Sequence, residues 1–458
     1  MSTDAGAASV PAGGGGFGRH VGQTLKLAGP VIVARSGVLI MMAVDTAMTG
    51  RAGGDELAWF GMGLSPTIAL TLLGLGFLLG VSILTAQADG AGEPGRTGGI
   101  WRTGLVHAAV LGLAFLLICQ FGEFLLGAVG HDPRLAGGGG EVMRMLGYGL
   151  PAVMVFVASS FFLEGLSRPL PGMIIMMAAN VVNFGLNWVM IYGNLGFSGM
   201  GAEGAALATT IARWLTAFAI LAYIWWLPDR DRFGIRRASL PEARVGRRMR
   251  RLGYPMGLAM FVEVAAFTTM IQLAGFLGGD GIAGYQIAHN LVALVFMSAI
   301  GLGAATGVRV GNAVGRADPQ GVRSALAAGL GLVVAAMAVL GGSFLAIPET
   351  LVAVYTADAG VVAFALPALA VAGSMMIFDG SQAVLINALR ALGDVWFPMM
   401  AQILSFWVLA IPAAWIMAFH LELGTAGLMG GIYIGVVAAT AVNGWRFRRM
   451  SHRPLRRA

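Results

Sequence analysis

The stretch LAGPVIVARSGVLIMMAVDTAMTGRAGGDELA (27–58) holds one long, predominantly apolar run, closed by GRAGGDE (50–56), a break rich in glycine and charge. A bilayer span takes about 20 predominantly apolar residues, so the run reads as a transmembrane helix followed by a tight turn. The same plan returns 225 residues later in LGYPMGLAMFVEVAAFTTMIQLAGFLGGDGIA (252–283). Without a gap, LAGP (27–30) falls on LGYP (252–255), and GGDELA (53–58) falls on GGDGIA (278–283). In the same register GAGEP (90–94) meets GRADP (315–319), and LEGL (163–166) meets LRAL (389–392) at an offset of 226. Shared low complexity does not hold register over about 65 residues, so the chain reads as two copies of one unit.

Working outward, twelve apolar segments follow, at about 26–49, 57–88, 101–129, 142–164, 171–192, 202–227, 252–277, 282–313, 322–347, 359–390, 396–419 and 424–445. Between them lie DGAGEPGR (89–96), GHDP (130–133), SRPLP (167–171), GNLGFSGMG (193–201), GRADPQG (315–321) and LGD (392–394). Most segments are apolar on every side and none shows ten-residue alternation. In hydrocarbon, unpaired backbone groups leave only helices and closed barrels. The expected fold is an all-α integral membrane protein, twelve transmembrane helices in two parallel-repeat six-helix lobes related by an axis along the membrane normal.

Composition agrees. The 458 residues are 57% apolar and 11% charged, against about 25% charge in soluble domains. A chain so poor in charge cannot cover a soluble surface, which argues against soluble enzymes and nucleic-acid binders. The net charge of +7 is dispersed in short clusters rather than gathered into a patch. The 229–251 stretch holds nine arginines between Arg230 and Arg251, and the tail adds Arg446, Arg448, Arg449, Arg453, Arg456 and Arg457. Loops assigned to the same side contribute Arg96, Arg102, Arg168, Arg309, Arg316, Arg323 and Arg390, whereas the other side has little beyond Arg51, Arg134 and Arg144. By the positive-inside rule, both termini and the central linker are expected in the cytoplasm, which requires an even number of spans. The expected organisation is a cytoplasmic tail (1–24), an N-lobe (25–228), a basic linker (229–251), a C-lobe (252–447) and a basic tail (448–458). The first 24 residues lack the short apolar core of a signal peptide. The lone cysteine, Cys119, provides no disulfide framework and no thiolate metal site.

Ionisable residues inside a membrane are expensive and point to function. Three acids stand out: Asp45 in AVDTAMTG, Glu263 in AMFVEVAAF and Asp379 in MMIFDGSQA, none with a lysine or arginine within four residues. They could simply be protonated and hydrogen-bonded between helices. The functional reading is that each exchanges a proton or Na⁺ for a cationic solute, since one group that binds either but not both couples their movement. Asn180, Asn183 and Asn187 share one face of span 5 through their i, i+3, i+7 spacing, and Thr209 and Thr210 open the matching part of span 6. Amides in spans often only glue helices together, but three on one face suit a cation or proton site. Candidate cavity residues are Asn180, Gln286, His289, Asn290 and Met376, the last from a set of methionine pairs able to form a plastic lining. Arg35 in span 1 and Arg213 in span 6 are expected to pair with acids or to snorkel.

Other signals carry less. GDGIAG (279–284) matches a dinucleotide-binding pattern but follows no strand. GFSG (196–199) looks like the serine turn of an intramembrane protease but lies in a short loop, with no histidine spaced to serve it. Neither HExxH, paired CxxC nor a P-loop occurs, so no enzyme is expected.

Taken together, LAGPVIVARSGVLIMMAVDTAMTGR (27–51), FLEGLSRPLP (162–171), NVVNFGLNWVMIYG (180–193), GAEGAALATTI (201–211), YPMGLAMFVEVAAF (254–267), YQIAHNLVALVFMSAIGLGAATGVRVGNAVG (285–315) and DGSQAVLINALRALGD (379–394) resemble the multidrug and toxic compound extrusion (MATE) family, in its NorM-like bacterial branch. The resemblance covers about residues 25–445. It implies two six-helix lobes around a V-shaped cavity, in the bacterial inner membrane, exporting organic cations against entering H⁺ or Na⁺. By position, Asp45, Asn183, Asn187 and Thr209 match the ion-coupling cluster of the N-lobe, and Glu263 and Asp379 match the acids of the C-lobe. A Na⁺ site is accordingly expected at Asp45, Asn183 and Asn187 or at Glu263 and Asp379. Two departures stand out: Met375 where such proteins can carry tyrosine, and the charge of Arg35 in span 1. The implied partners are small-molecule organic cations and the lipid bilayer, with no nucleic acid and no cofactor, and the chain is expected to act as a monomer. A flippase for lipid-linked precursors is the alternative; its cavity should be lined by several basic residues, and here only Arg35 and Arg213 lie in spans. An intramembrane enzyme would need a nucleophile–base pair or metal cluster.

Overall fold

The computed structural model describes residues 17–237, 242–455 and 457. Among them the chain is helical throughout its regular structure. The first half comprises α1 (Phe17–Ala52), α2 (Gly54–Gly90), α3 (Thr97–Gln120), the short α4 (Gly122–Ala128), α5 (Pro133–Gly147), α6 (Leu150–Gly165), α7 (Leu170–Tyr192) and α8 (Gly201–Trp225). The second comprises α9 (Ala243–Gly275), α10 (Gly278–Gly315), α11 (Pro319–Ala346), the short α12 (Pro348–Ala353), α13 (Ala359–Ala391), α14 (Trp396–Ile403), α15 (Ile411–Trp415) and α16 (Gly424–Ser451). Among the described residues eleven helices are long and apolar enough to cross a bilayer, and α5 with α6, bent by 43°, make a twelfth span when read as one. The bend falls just before Pro151, which sits in the first turn of α6 where a missing N–H costs nothing.

Several boundaries differ from expectation. Helix α1 already begins at Phe17, so residues 17–24 are not a loose tail, and residues 1–16 lie outside the described residues. The segment expected over 101–129 ends as a span at Gln120, with α4 set apart by Phe121. The basic linker is partly built into the fold: Phe233 and Ile235 are buried, and Gly98 N–H donates to the Phe233 carbonyl at 2.8 Å. Its residues 243–251 belong to α9, and 238–241 lie outside the described residues. Span 396–420 is wound more widely over residues 404–410 and 416–420. Its neighbour α16 lays Gly427, Gly431 and Gly435 against it so closely that a Cβ at any of them would overlap Ala418, Ala414 or Ser405, the small-residue seam by which membrane helices approach.

One end of the molecule, the base, gathers the basic loops. There Arg168 pairs with Asp229 at 2.6 Å, Arg446 with Asp394 at 2.7 Å, and Arg457 with Glu93 at 2.8 Å. The base is also where the two lobes meet, by an exchange of the basal ends of their first helices. Ala28 of α1 lies in the core of the second half, packed with α10 and α11. Reciprocally, Val245, Met249, Leu252 and Met256 of α9 lie in the core of the first half, packed with α2 and α3. The sequence repeat appears here as geometry. A Cβ at Gly301 would overlap Ile32, and a Cβ at Gly76 would overlap Gly257; position 76 is 301 less 225, and 257 is 32 plus 225. Gln87 Nε2 ties α2 to the Ala391 carbonyl at 2.9 Å, and Arg309 ties α10 to the His20 carbonyl at 2.9 Å.

Away from the base the lobes separate. Residues 260–265 of α9 and 293–298 of α10 include no buried residue. Six consecutive residues pass more than once around a helix, so at that depth neither helix has a fully packed face. We read the parting at that depth as the mouth of a cleft between the bundles.

Candidate ion and solute sites

In the first lobe, Asp45 arrives on α1, Asn183 and Asn187 on one face of α7, and Thr209 on α8. The α7–α8 connection is tight: Gly193 takes a left-handed φ of 73°, and a Cβ on it would stand 2.5 Å from Gly199 N. These turns bring the four side chains together, each nearly or fully buried. Asn187 Nδ2 donates to Asp45 Oδ1 at 2.6 Å and to Asn183 Oδ1 at 3.2 Å. Thr209 Oγ1 donates to Asp45 Oδ2 at 2.7 Å and accepts from Asn183 Nδ2 at 3.1 Å. Both protons of the Asn187 amide and the single proton of the hydroxyl are thereby committed. The Asn187 Oδ1 atom is buried without a partner among the described residues. A carboxylate with two short donors, beside an uncommitted amide oxygen, is complemented by a proton or a small cation. Thr210 turns away, to the Met145 carbonyl at 2.9 Å.

The second lobe is built differently. Glu263 on α9 and Asp379 on α13 are both half-buried. They lie within electrostatic reach of each other. Gln402 Nε2 of α14 donates to Glu263 Oε2 at 2.7 Å, while Gln402 Oε1 is buried and unpartnered among the described residues. Gln402 was not singled out from sequence, although an amide inside the apolar run MMAQILSF (399–406) is the signal that marks it.

The arginines find their places. Arg35 pairs with Glu164 of α6 at 3.6 Å. Arg213, one turn beyond Thr209, donates to the Leu146 carbonyl at 3.3 Å and lies within electrostatic reach of Asp45. Arg390, expected in a basic loop, is instead only 8% exposed in the last turn of α13 and faces the field of Glu263. Glu164 and Arg390 occupy equivalent positions of the repeat, so the two lobes carry opposite charges at that point.

The cavity candidates divide. Asn180 is half-buried and turns its Nδ2 back to the Met176 carbonyl at 2.9 Å, apart from the Asp45 network. Gln286 is half-buried and Asn290 exposed on α10. His289 stacks on Tyr285, rings 6.2 Å apart, and meets Phe267 at a tilt of 43° and 5.3 Å, and its buried Nδ1 has no partner among the described residues. Met376 does not line an opening: it is fully buried in the C-lobe core, where a Cβ at Gly341 of α11 would stand 3.0 Å from its own Cβ. Helix α13 turns that residue inward with Met375 and leaves Asp379, one turn on, half-open. Among the described residues no group of three histidine, cysteine, aspartate or glutamate side chains could hold a metal ion.

The MatE family model matches residues 30–189 and again 255–416; the second match starts 225 residues after the first. A probable multidrug resistance protein NorM of Caulobacter vibrioides is 34% identical over 433 residues, covering 94% of this chain and 92% of that protein. The multidrug resistance protein NorM of Burkholderia vietnamiensis is 32% identical, with 94% of each chain covered. Among solved structures, the eukaryotic MATE transporter AtDTX14 superposes with a TM-score of 0.86 at 20% identity, over 95% of this chain and 98% of that one. An outward-facing multidrug resistance MATE transporter of the MOP superfamily gives 0.87 at 20% identity, over 94% and 96%. At such identities the structural likeness speaks for the fold.

Proposed function

The chain belongs to the MatE family as a NorM-like transporter, not an enzyme, and on that premise we propose that it is a secondary antiporter exporting cationic, amphipathic organic compounds in exchange for inward H⁺ or Na⁺. It is a multi-pass membrane protein, and its multidrug-resistance relatives support efflux of small molecules. In this reading it lies in the bacterial inner membrane with the basic end, both termini and the linker in the cytoplasm. The state described here, closed at the base and parted at the other end, is then outward-facing.

The Asp45 network is the observation that carries the proposal. The carboxylate is held by Asn187 and Thr209 with the Asn187 Oδ1 atom uncommitted, an arrangement a proton or Na⁺ completes. Each inward cation is driven by about 2.3 kcal/mol per 100 mV, besides its concentration gradient. Outward-facing, the N-lobe takes the ion and the solute leaves. Inward-facing, the ion departs and a cationic solute is drawn to the cleft by Glu263 and Asp379.

The test is drug efflux from everted vesicles and proteoliposomes under an imposed proton gradient or an imposed sodium gradient. Efflux driven by one of the two, and lost in Asp45→Asn protein that still inserts, is the expected result. Efflux indifferent to both gradients, or unchanged in that variant, would remove the antiport reading.

A further inference from the structure

Arg35 is the intramembrane charge that the Asp45 and Glu263 sites leave unexplained. Its guanidinium lies over the ring of Phe161, 5.2 Å from the centroid, and its Nη2 faces Glu164 Oε1 at 3.6 Å. Phe161 and Glu164 are one turn apart on α6, the first fully buried and the second with its side chain 11% exposed. A buried aromatic face beside a buried carboxylate is a receptor for a flat cation: the ring attracts it through its quadrupole and the acid neutralises it. The pair is loose. A well-made arginine–carboxylate bond runs at about 2.7–2.9 Å, and the only described partner of the Glu164 carboxylate is Arg35 at 3.6 Å. Arg35 is held there by charge and stacking, not by a fork of hydrogen bonds, so a second cation of the same shape has something to gain by replacing it.

The position is also one the lobes uncover. Beside Glu164 is a cavity of about 10 Å³, room for roughly one water, lined by Leu27 and Val31 of α1 and by Ala304, Ala305 and Val308 of α10. Those helices belong to opposite lobes and meet at the base. Parting the base widens this gap and opens Glu164 to the basic side.

We propose that Phe161 and Glu164 form a receptor for planar guanidinium and amidinium cations, occupied in the closed-base state by the chain's own Arg35 and offered to cargo of that class when the base parts. This deepens the transport reading and rests on it for the cargo's passage, but the receptor itself is tested by binding alone.

Protein in nanodiscs is titrated with phenylguanidinium, with benzyltrimethylammonium as a cation of equal charge but different shape. Arg35→Ala should bind phenylguanidinium at least tenfold more tightly than the unaltered chain, with a gain under threefold for the control. Arg35→Ala/Glu164→Gln should lose that gain. No gain in Arg35→Ala, or a gain that survives Glu164→Gln, overturns the proposal. Arg35→Ala strands a buried carboxylate and can fail to fold for that reason, so its purification is repeated with guanidinium chloride at millimolar, non-denaturing concentration. Recovery of folded protein with guanidinium but not with equal tetramethylammonium supports the receptor, and recovery with neither overturns it. No ion gradient is present in these measurements, so failed coupling in vesicles and a failed receptor are separate results.

Discussion

Gly90 of α2 and Asn312 of α10 approach so closely that a Cβ on the glycine would run into the asparagine carbonyl oxygen, and Gly315 repeats the approach on the carbonyl of Gln87. Each pair is the other displaced by 225 residues, so the base is knitted by backbone against backbone around the repeat axis. In the proposed transport cycle this seam is what closes and parts.

Gly90→Ala and Gly315→Ala should therefore push the base apart. Overpacking of this kind costs about 1–3 kcal/mol, here charged to the closed state alone. In a Cys119→Ser background, labelling of Ala305→Cys by a membrane-impermeant maleimide from the basic side should rise several-fold in either variant. Unchanged labelling would mean that the seam is not the closure.

Removing donors from Asp45 separates position from charge. Thr209→Val deletes one donor and leaves Asn183 Nδ2 without its acceptor, at a cost of about 1–3 kcal/mol for the buried group. Thr209→Ser keeps the hydroxyl. Coupled efflux should fall at least tenfold in the valine variant and stay within threefold in the serine variant, with insertion checked by size-exclusion chromatography.

The two acids of the second lobe should select by charge. With Glu263 and Asp379 in reach of each other, the proposed antiport has a solute bearing two positive charges engage both and a singly charged one engage either. Glu263→Gln and Asp379→Asn should each reduce efflux of a dicationic dye several-fold more than that of a monocationic one, and equal losses would contradict the pairing. Gln402→Leu, which frees Glu263, should shift both solutes alike.

At the surface of the base, Glu93 is held below the usual carboxylate range first by its hydrogen bond from Arg96 and then by that from Arg457. A lowered carboxyl pKa places the stabilisation above the ordinary glutamate value and removes it as pH falls through the lowered one. A spin label at Pro454→Cys should keep its mobility from pH 8 to pH 5 and loosen only in stronger acid. With Glu93→Gln it should be loose throughout, and high salt should mimic that variant in part, since the pair is exposed.

Much of this was legible because lipid enforces it. Span lengths follow from bilayer thickness, and the register of the repeat survives in the glycines and acids of GGDELA and GGDGIA. The N-lobe cluster was readable because i, i+4 spacing alone puts Asn183 and Asn187 on one face of α7. What failed to read depended on helix rotation. Arg35 and Glu164 are 129 residues apart in the chain, and only the packing of α1 near α6 joins them. Met376 and Asp379 are three residues apart on α13, yet one is sealed in the core and the other half-open. Arg390 looked like a loop charge because α13 runs on to Ala391, one residue beyond it. The breaks at Phe121 and before Pro151 lie inside apolar runs where hydropathy carries no signal.

The exchange of α1 and α9 across the base bears on how such a chain could arise. Each half lends the basal end of its opening helix to the other, in the manner of swapped arms in a symmetric dimer. A half-length ancestor bearing the same glycines would have bridged to a second copy of itself, and joining the two genes would only have tethered an assembly already closed. The fused descendant gains the freedom to diverge, and the carboxylate at position 164 facing an arginine at position 390 records how far that has gone.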